Sequence, residues 1–143
     1  HITRDCGKYK GKDNPEFLPE KFWDEELPVM LYDGIREKVR EIQNSEFKYK
    51  PHIFAFKHVA SSQTACVNLF VPIMESESVN DILKSIEACP KDFKCVAKEQ
   101  LFHGYRFEFW DSTDEKSKGL LGDHSKQAGT DSDVAIAYYN TDD

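Results

Sequence analysis

Two carboxylates stand where chemistry is possible: Glu108 in "RFEFWD" and Asp133 in "TDSDVAIAY". Asp133 precedes a run, Val134 to Tyr139, of small, β-branched and aromatic residues without a charge, expected to be a strand largely shielded from water. Gly129 and Thr130 upstream suit a turn, so the carboxylate falls where a strand leaves a loop. In "YRFEFW" the alternation puts Arg106, Glu108 and Trp110 on one face and Tyr105, Phe107 and Phe109 on the other. A Glu in so aromatic a strand must stay hydrated, find a partner or hold a cation. If the two strands are neighbours, their carboxylates converge on one Mg²⁺, a cation that takes oxygen ligands and keeps several waters. The plainer readings are a loop-end Asp and an exposed Glu on a polar hairpin face. Asp131 is the alternative acid if the strand starts two residues earlier.

The elements that must position these acids follow from periodicity. Residues 1–20 are polar and rich in Lys, Gly and Pro, and read as an irregular arm ahead of a single domain, 21–143. "DEELPVMLYDGIREKVREIQ" carries Leu31, Ile35, Val39 and Ile42 as a helical stripe, weakened at Gly34. "SSQTACVNLFVPI" predicts a helix capped by Ser61 or Ser62, with Ala65, Cys66, Leu69 and Phe70 on one face and Pro72 as its end. "SVNDILKSIEAC" predicts another, with Ser78 and Asp81 spaced as a capping box and Val79, Ile82, Leu83 and Ile86 inside. "FKCVAKEQLF" and "YRFEFWD" read as strands joined by a tight hairpin at His103-Gly104, and a polar loop from Asp111 to Thr130 leads to the last strand. Helices followed by a small mixed sheet make the class α+β, or mixed α/β.

Composition narrows the function classes. A chain of 143 residues with 39% hydrophobic and 31% charged residues is ordinary for one globular domain. Nothing approaches the ~18 consecutive apolar residues of a membrane span. The start, "HITRD", lacks the apolar core of a signal peptide and a Met, as an internal start or trimmed tag would. The four cysteines form no CxxC pair, which argues against a zinc knuckle or disulfide scaffold and for a reducing cytoplasm. A net charge of −7 speaks against a generic basic surface for DNA. One stretch, "FKYKPHIFAFKHVA", interleaves Lys48, Lys50 and Lys57 with aromatics and would touch a nucleic-acid strand by charge and stacking, or simply pack its rings on the core. Histidines without HExxH spacing and the lack of a Gly-x-Ser-x-Gly elbow argue against zincin and serine-hydrolase chemistry.

The ordered set "HVASSQTACVNLFVPI", "FEFW" and "GTDSDVAIAYYN" resembles a restriction-endonuclease branch of the PD-(D/E)XK nuclease superfamily. The residues that carry the resemblance are Ser61, Ser62, Gln63, Asn68, Leu69, Phe70 and Pro72, then Phe107-Glu108, then Thr130 and Asp133, spanning roughly residues 55 to 140. The resemblance implies a mixed sheet flanked by helices and a Mg²⁺-dependent DNA phosphodiesterase. Asp133 would be the metal ligand, Glu108 a second ligand or the holder of a metal-bound water, and Gln63 a residue positioning ligand or phosphate, beside its plainer part in starting a helix. It also implies a further strand with an acid, a spacer and a lysine. Only Asn140 to Asp143 follow Tyr139, so the expectation is a core cut before that lysine and inactive as it stands. A non-catalytic interaction module on a nuclease-like fold, and a chance match in an unrelated α+β protein, are the competing expectations. An exposed sheet edge would also favour pairing with a second copy.

Overall fold

The computed structural model describes residues 6–23, 30–46, 56–109 and 132–142, and of Glu108, Phe109 and Ser132 only the backbone. The chain divides into two compact units, 1–45 with 51–72, and 46–50 with 73–143. The α+β class holds: three α-helices accompany short strand pairs, all antiparallel among the described residues.

In the first unit, part of the segment expected to be irregular forms a hairpin. Strand β1 (Gly7–Tyr9) pairs with β2 (Lys12–Asn14) in the register Gly7↔Asn14, Lys8↔Asp13 and Tyr9↔Lys12. Its two-residue turn has Lys10 at φ 50° and Gly11 at φ 78°, the left-handed conformation that matches the twist of paired strands. Gly7 has no room for a side chain, since a Cβ there would lie 2.2 Å from the Leu18 carbonyl oxygen. Segment 16–18 in turn bonds segment 57–59, through Leu18 N–H to the Lys57 carbonyl (2.9 Å) and Val59 N–H to the Glu16 carbonyl (2.8 Å).

Helix α1 (Arg36–Asn44) is entered through a 3-10 turn, Asp33–Ile35, so the helix begins beyond Gly34 rather than running through it. The stripe read from the sequence is the buried one: Leu31, Ile35, Val39 and Ile42 are all at most 5% exposed. Helix α2 (Ser62–Met74) starts where Ser61 Oγ accepts the Thr64 N–H at 3.1 Å, an N-cap as expected. Its buried face differs from the expected one. Thr64, Val67, Val71 and Met74 are buried, Ala65 is exposed and Leu69 is 58% exposed. The helix is apolar around most of its girth, so the 3.6-residue period alone could not choose the inward side. Pro72 lies inside the helix instead of ending it.

In the second unit, helix α3 (Val79–Ser85) buries Val79 and Leu83, while Ile86 lies past its end and is 52% exposed. Ser78 occupies the N-cap without a side-chain bond, and its own N–H donates to Ser76 Oγ at 3.1 Å. The capping box is therefore not formed. Asn80 Oδ1 instead accepts the Val96 N–H at 2.9 Å and ties α3 to the sheet.

Four strands follow: β3 (Phe93–Val96), β4 (Tyr105–Phe109), β5 (Ser132–Ile136) and β6 (Tyr138–Asn140). The expected hairpin between the runs of β3 and β4 is only local. His103 (φ 49°) and Gly104 (φ 90°) do form a two-residue turn, with Phe102 and Tyr105 exchanging backbone bonds of 3.0 Å. Beyond that single pair, β3 bonds β6 and β4 bonds β5. Between them Ala137 donates its N–H to the Gly104 carbonyl (2.8 Å) and accepts the Ala97 N–H on its own carbonyl (2.9 Å). The N–H and C=O of one extended residue point to the same edge, so β3 and β4 lie end to end along segment 132–140. From the Val96↔Tyr138 pair to the Tyr105↔Ile136 pair, one arm advances nine residues and the other two, so seven residues, 98–104, are looped out of one antiparallel ribbon.

Candidate functional site

The looped-out segment ends at β4, and β4 holds the first candidate acid. Tyr105 and Phe107 are 0% and 2% exposed, which fixes the inward face of the strand and puts position 108 on the opposite one with Arg106. The register Phe107↔Val134 and Phe109↔Ser132 leaves position 108 directly opposite position 133. Directly opposed residues of an antiparallel pair share a face, with Cβ atoms about 4.5–5.5 Å apart. The two candidate acids, 25 residues apart in sequence, are thus cross-strand neighbours by register. Arg106, half-buried with its Nε shielded from water, pairs with Ala135 on that same face.

Asp133 is exposed. The strand it opens is less shielded than its composition suggests: Val134 to Ala137 are half-buried, and Tyr138 and Tyr139 are 40% and 37% exposed. A ribbon of two strands covers one face and leaves much of the other to solvent. Gln63 lies half-buried in the first turn of α2, in the first unit, whereas Glu108 and Asp133 belong to the second. Asp131, Lys48 and Lys50 lie outside the described residues. Lys57 is half-buried with its Nζ 4.0 Å from the centroid of the Trp23 ring, a cation–π contact, and Trp23 Nε1–H donates to the Leu18 carbonyl at 2.8 Å. Among the described residues no three His, Cys, Asp or Glu side chains cluster as a metal site would, and no helix is long and apolar enough to cross a membrane.

Asn68, one of the motif residues of α2, has a structural task. Its Oδ1 accepts the Tyr32 N–H and its Nδ2 donates to the Met30 carbonyl, each at 2.8 Å, clamping segment 30–32 to the helix. Asn68→Ala is expected to lower stability by about 1–2 kcal/mol, as two hydrogen bonds at about 1 kcal/mol each are lost, measured by urea denaturation.

Two polar clusters of the second unit escaped the sequence reading. Glu75, just past α2, accepts the hydroxyl of buried Tyr105 on Oε1 at 3.0 Å and lies 3.2 Å from His103 Nδ1, while the Phe102 ring stacks on the imidazole at 4.5 Å. This holds the looped-out turn, and only the partner positions in space reveal it. On the same loop, the Tyr139 hydroxyl donates to the Glu99 carboxylate. That bond first, and a backbone hydrogen bond second, hold the exposed Glu99 carboxyl below its ordinary 4.5. A depressed carboxyl contributes stability above pH 4.5 and loses it as pH falls through the lowered value. Tyr139→Phe is expected to return the Glu99 titration toward 4.5, followed by carboxyl-carbon NMR.

A comparison with protein families finds that the model described as Restriction Endonuclease associating with ARP matches residues 2–138. No curated protein and no solved structure matches.

Proposed function

Because the chain belongs to the family of restriction endonucleases associating with ARP, a nuclease-related module, we propose that the paired positions Glu108 and Asp133 hold a Mg²⁺ ion for DNA phosphodiester hydrolysis by the intact protein. The register that sets position 108 against position 133 carries this reading. Two carboxylates directly opposed on one face repel each other, and a divalent cation with oxygen preference relieves that repulsion. The bound Mg²⁺ would act as Lewis acid and template toward a phosphate oxygen. Arg106, on the same face and permanently charged, supplies a group suited to a phosphate beside the acids.

Thermal unfolding of the wild type, Glu108→Gln and Asp133→Asn across a Mg²⁺ titration tests the reading. The wild-type midpoint should climb with Mg²⁺ and both variants should lose the response. A wild type indifferent to Mg²⁺ removes the site. Mg²⁺ binding without cleavage by the intact protein would mark a non-catalytic interaction module.

A further inference from the structure

Nothing in the acid pair makes use of the β1–β2 hairpin, yet this is where the chain reverses its own electrostatics. Gly7 to Asn14 carries three lysines, Lys8, Lys10 and Lys12, against one acid, Asp13, in a protein of net charge −7. All three lysines are exposed. Among them stands Tyr9, 40% exposed. Its ring lies nearly parallel to that of Phe17, 5.3 Å between centroids and 10° between planes. Phe17 is 6% exposed and meets the edge of the His58 imidazole at 4.9 Å, and His58 Nε2 in turn lies 3.2 Å from Glu16 Oε2.

The ring is therefore mounted on a fixed base. The Gly7 N–H donates to the Phe17 carbonyl at 2.8 Å, so the hairpin is bonded to the same residue whose ring supports Tyr9. Register puts Lys12 directly across from Tyr9, and the Lys10 Nζ lies 5.2 Å from the Tyr9 centroid. A 40% exposed aromatic ring, backed by Phe17, with the flexible Lys10 ammonium over it and Lys12 across from it, matches a nucleotide: a base takes the place of the Lys10 ammonium on the ring, and the released ammonium and its lysine neighbours suit the phosphates on either side. A duplex hides its base faces in the stack, whereas a single strand offers them.

We propose that the β1–β2 hairpin binds single-stranded nucleic acid, with one base stacked on Tyr9 and the neighbouring phosphates held by Lys8, Lys10 and Lys12. This surface works without the metal site.

The test is fluorescence anisotropy in EDTA with labelled oligo(dT), oligo(U), a DNA duplex and heparin, so that failure of the acid pair leaves the result untouched. Either single strand is expected to bind more tightly than duplex or heparin, and comparison of the two strands shows which sugar is preferred. Lys8→Gln/Lys10→Gln/Lys12→Gln should flatten the salt dependence of log K by about 2, since each phosphate contact on a single strand contributes about 0.7. Tyr9→Ala should weaken binding roughly tenfold, and Tyr9→Phe should restore it. The lysine triple touches only exposed side chains, so it remains interpretable if Tyr9→Ala unfolds. Wild-type binding by the triple variant, or duplex or heparin binding as tight as that of the strands, overturns the proposal.

Discussion

Gly104→Ala is expected to destabilise the protein by about 3 kcal/mol, the sum of a left-handed penalty of about 1–2 kcal/mol and an overpacking cost of about 1–3 kcal/mol. Gly104 sits at φ 90°, and a Cβ there would lie 2.3 Å from Val96 Cγ1 and 3.2 Å from the Ala97 carbonyl oxygen. Val96 is 6% exposed and Ala97 is fully buried, so neither has solvent to move into. The same glycine offers its carbonyl to Ala137, the residue at which the ribbon passes from β6 to β5. A shift of its backbone would thus disturb the junction as well as the turn. Chemical denaturation measures the loss. A change under 1 kcal/mol would mean that the turn relaxes independently of the strands, against the tight packing described.

Asp133→Asn is expected to separate two effects of opposite sign. Without metal, it removes one of two opposed carboxylates, so stability should hold or rise by about 0.2–1 kcal/mol. With Mg²⁺ at a hundredfold excess over its Kd, the wild type should gain about 2.7 kcal/mol, and the variant should gain almost none of it. The double variant Glu108→Gln/Asp133→Asn should be no worse in Mg²⁺ than Asp133→Asn alone, because one ion cannot be lost twice. DNA cleavage by the intact protein should fall to background in Asp133→Ala while the fold persists. Equal Mg²⁺ responses in all four proteins would place the ion, if any, elsewhere.

Both predictions depend on features that the sequence shows unequally. Alternation in "YRFEFW" gave the inward faces of Tyr105 and Phe107 correctly, because a strand bound on one face repeats every two residues. The stripe Leu31, Ile35, Val39 and Ile42 was legible for the corresponding helical reason. Ser61 as the cap of α2 was legible from local chemistry alone. The face of α2 was not, since Ala65, Cys66, Leu69 and Phe70 offer a stripe as apolar as Val67, Val71 and Met74. Nor was the end-to-end placement of β3 and β4, which is decided by bonds to a segment 42–47 residues downstream of β3 and 23–31 downstream of β4. The hairpin β1–β2 was available in "GKYKGKDN", with a Lys-Gly turn between alternating residues, but its many lysines resemble an unstructured arm. Of the candidate site, the two acids were singled out in the sequence and their opposed positions come from the register.

The register also sets an order of assembly. The β1–β2 hairpin closes across two residues, Lys10 and Gly11, and such hairpins form in about 1–10 μs. The Phe109↔Ser132 pair must close across 22 residues, 110–131. Closure entropy rises with the logarithm of loop length, so halving that connection would ease closure by about 0.6 kcal/mol. Pairing of β4 with β5 is therefore the slower event, and the two opposed acids meet only when it is complete. During synthesis the surface proposed for nucleic acid would exist before the last strand has been made, so the hairpin and the opposed acids are separated in time of formation as well as in the chain.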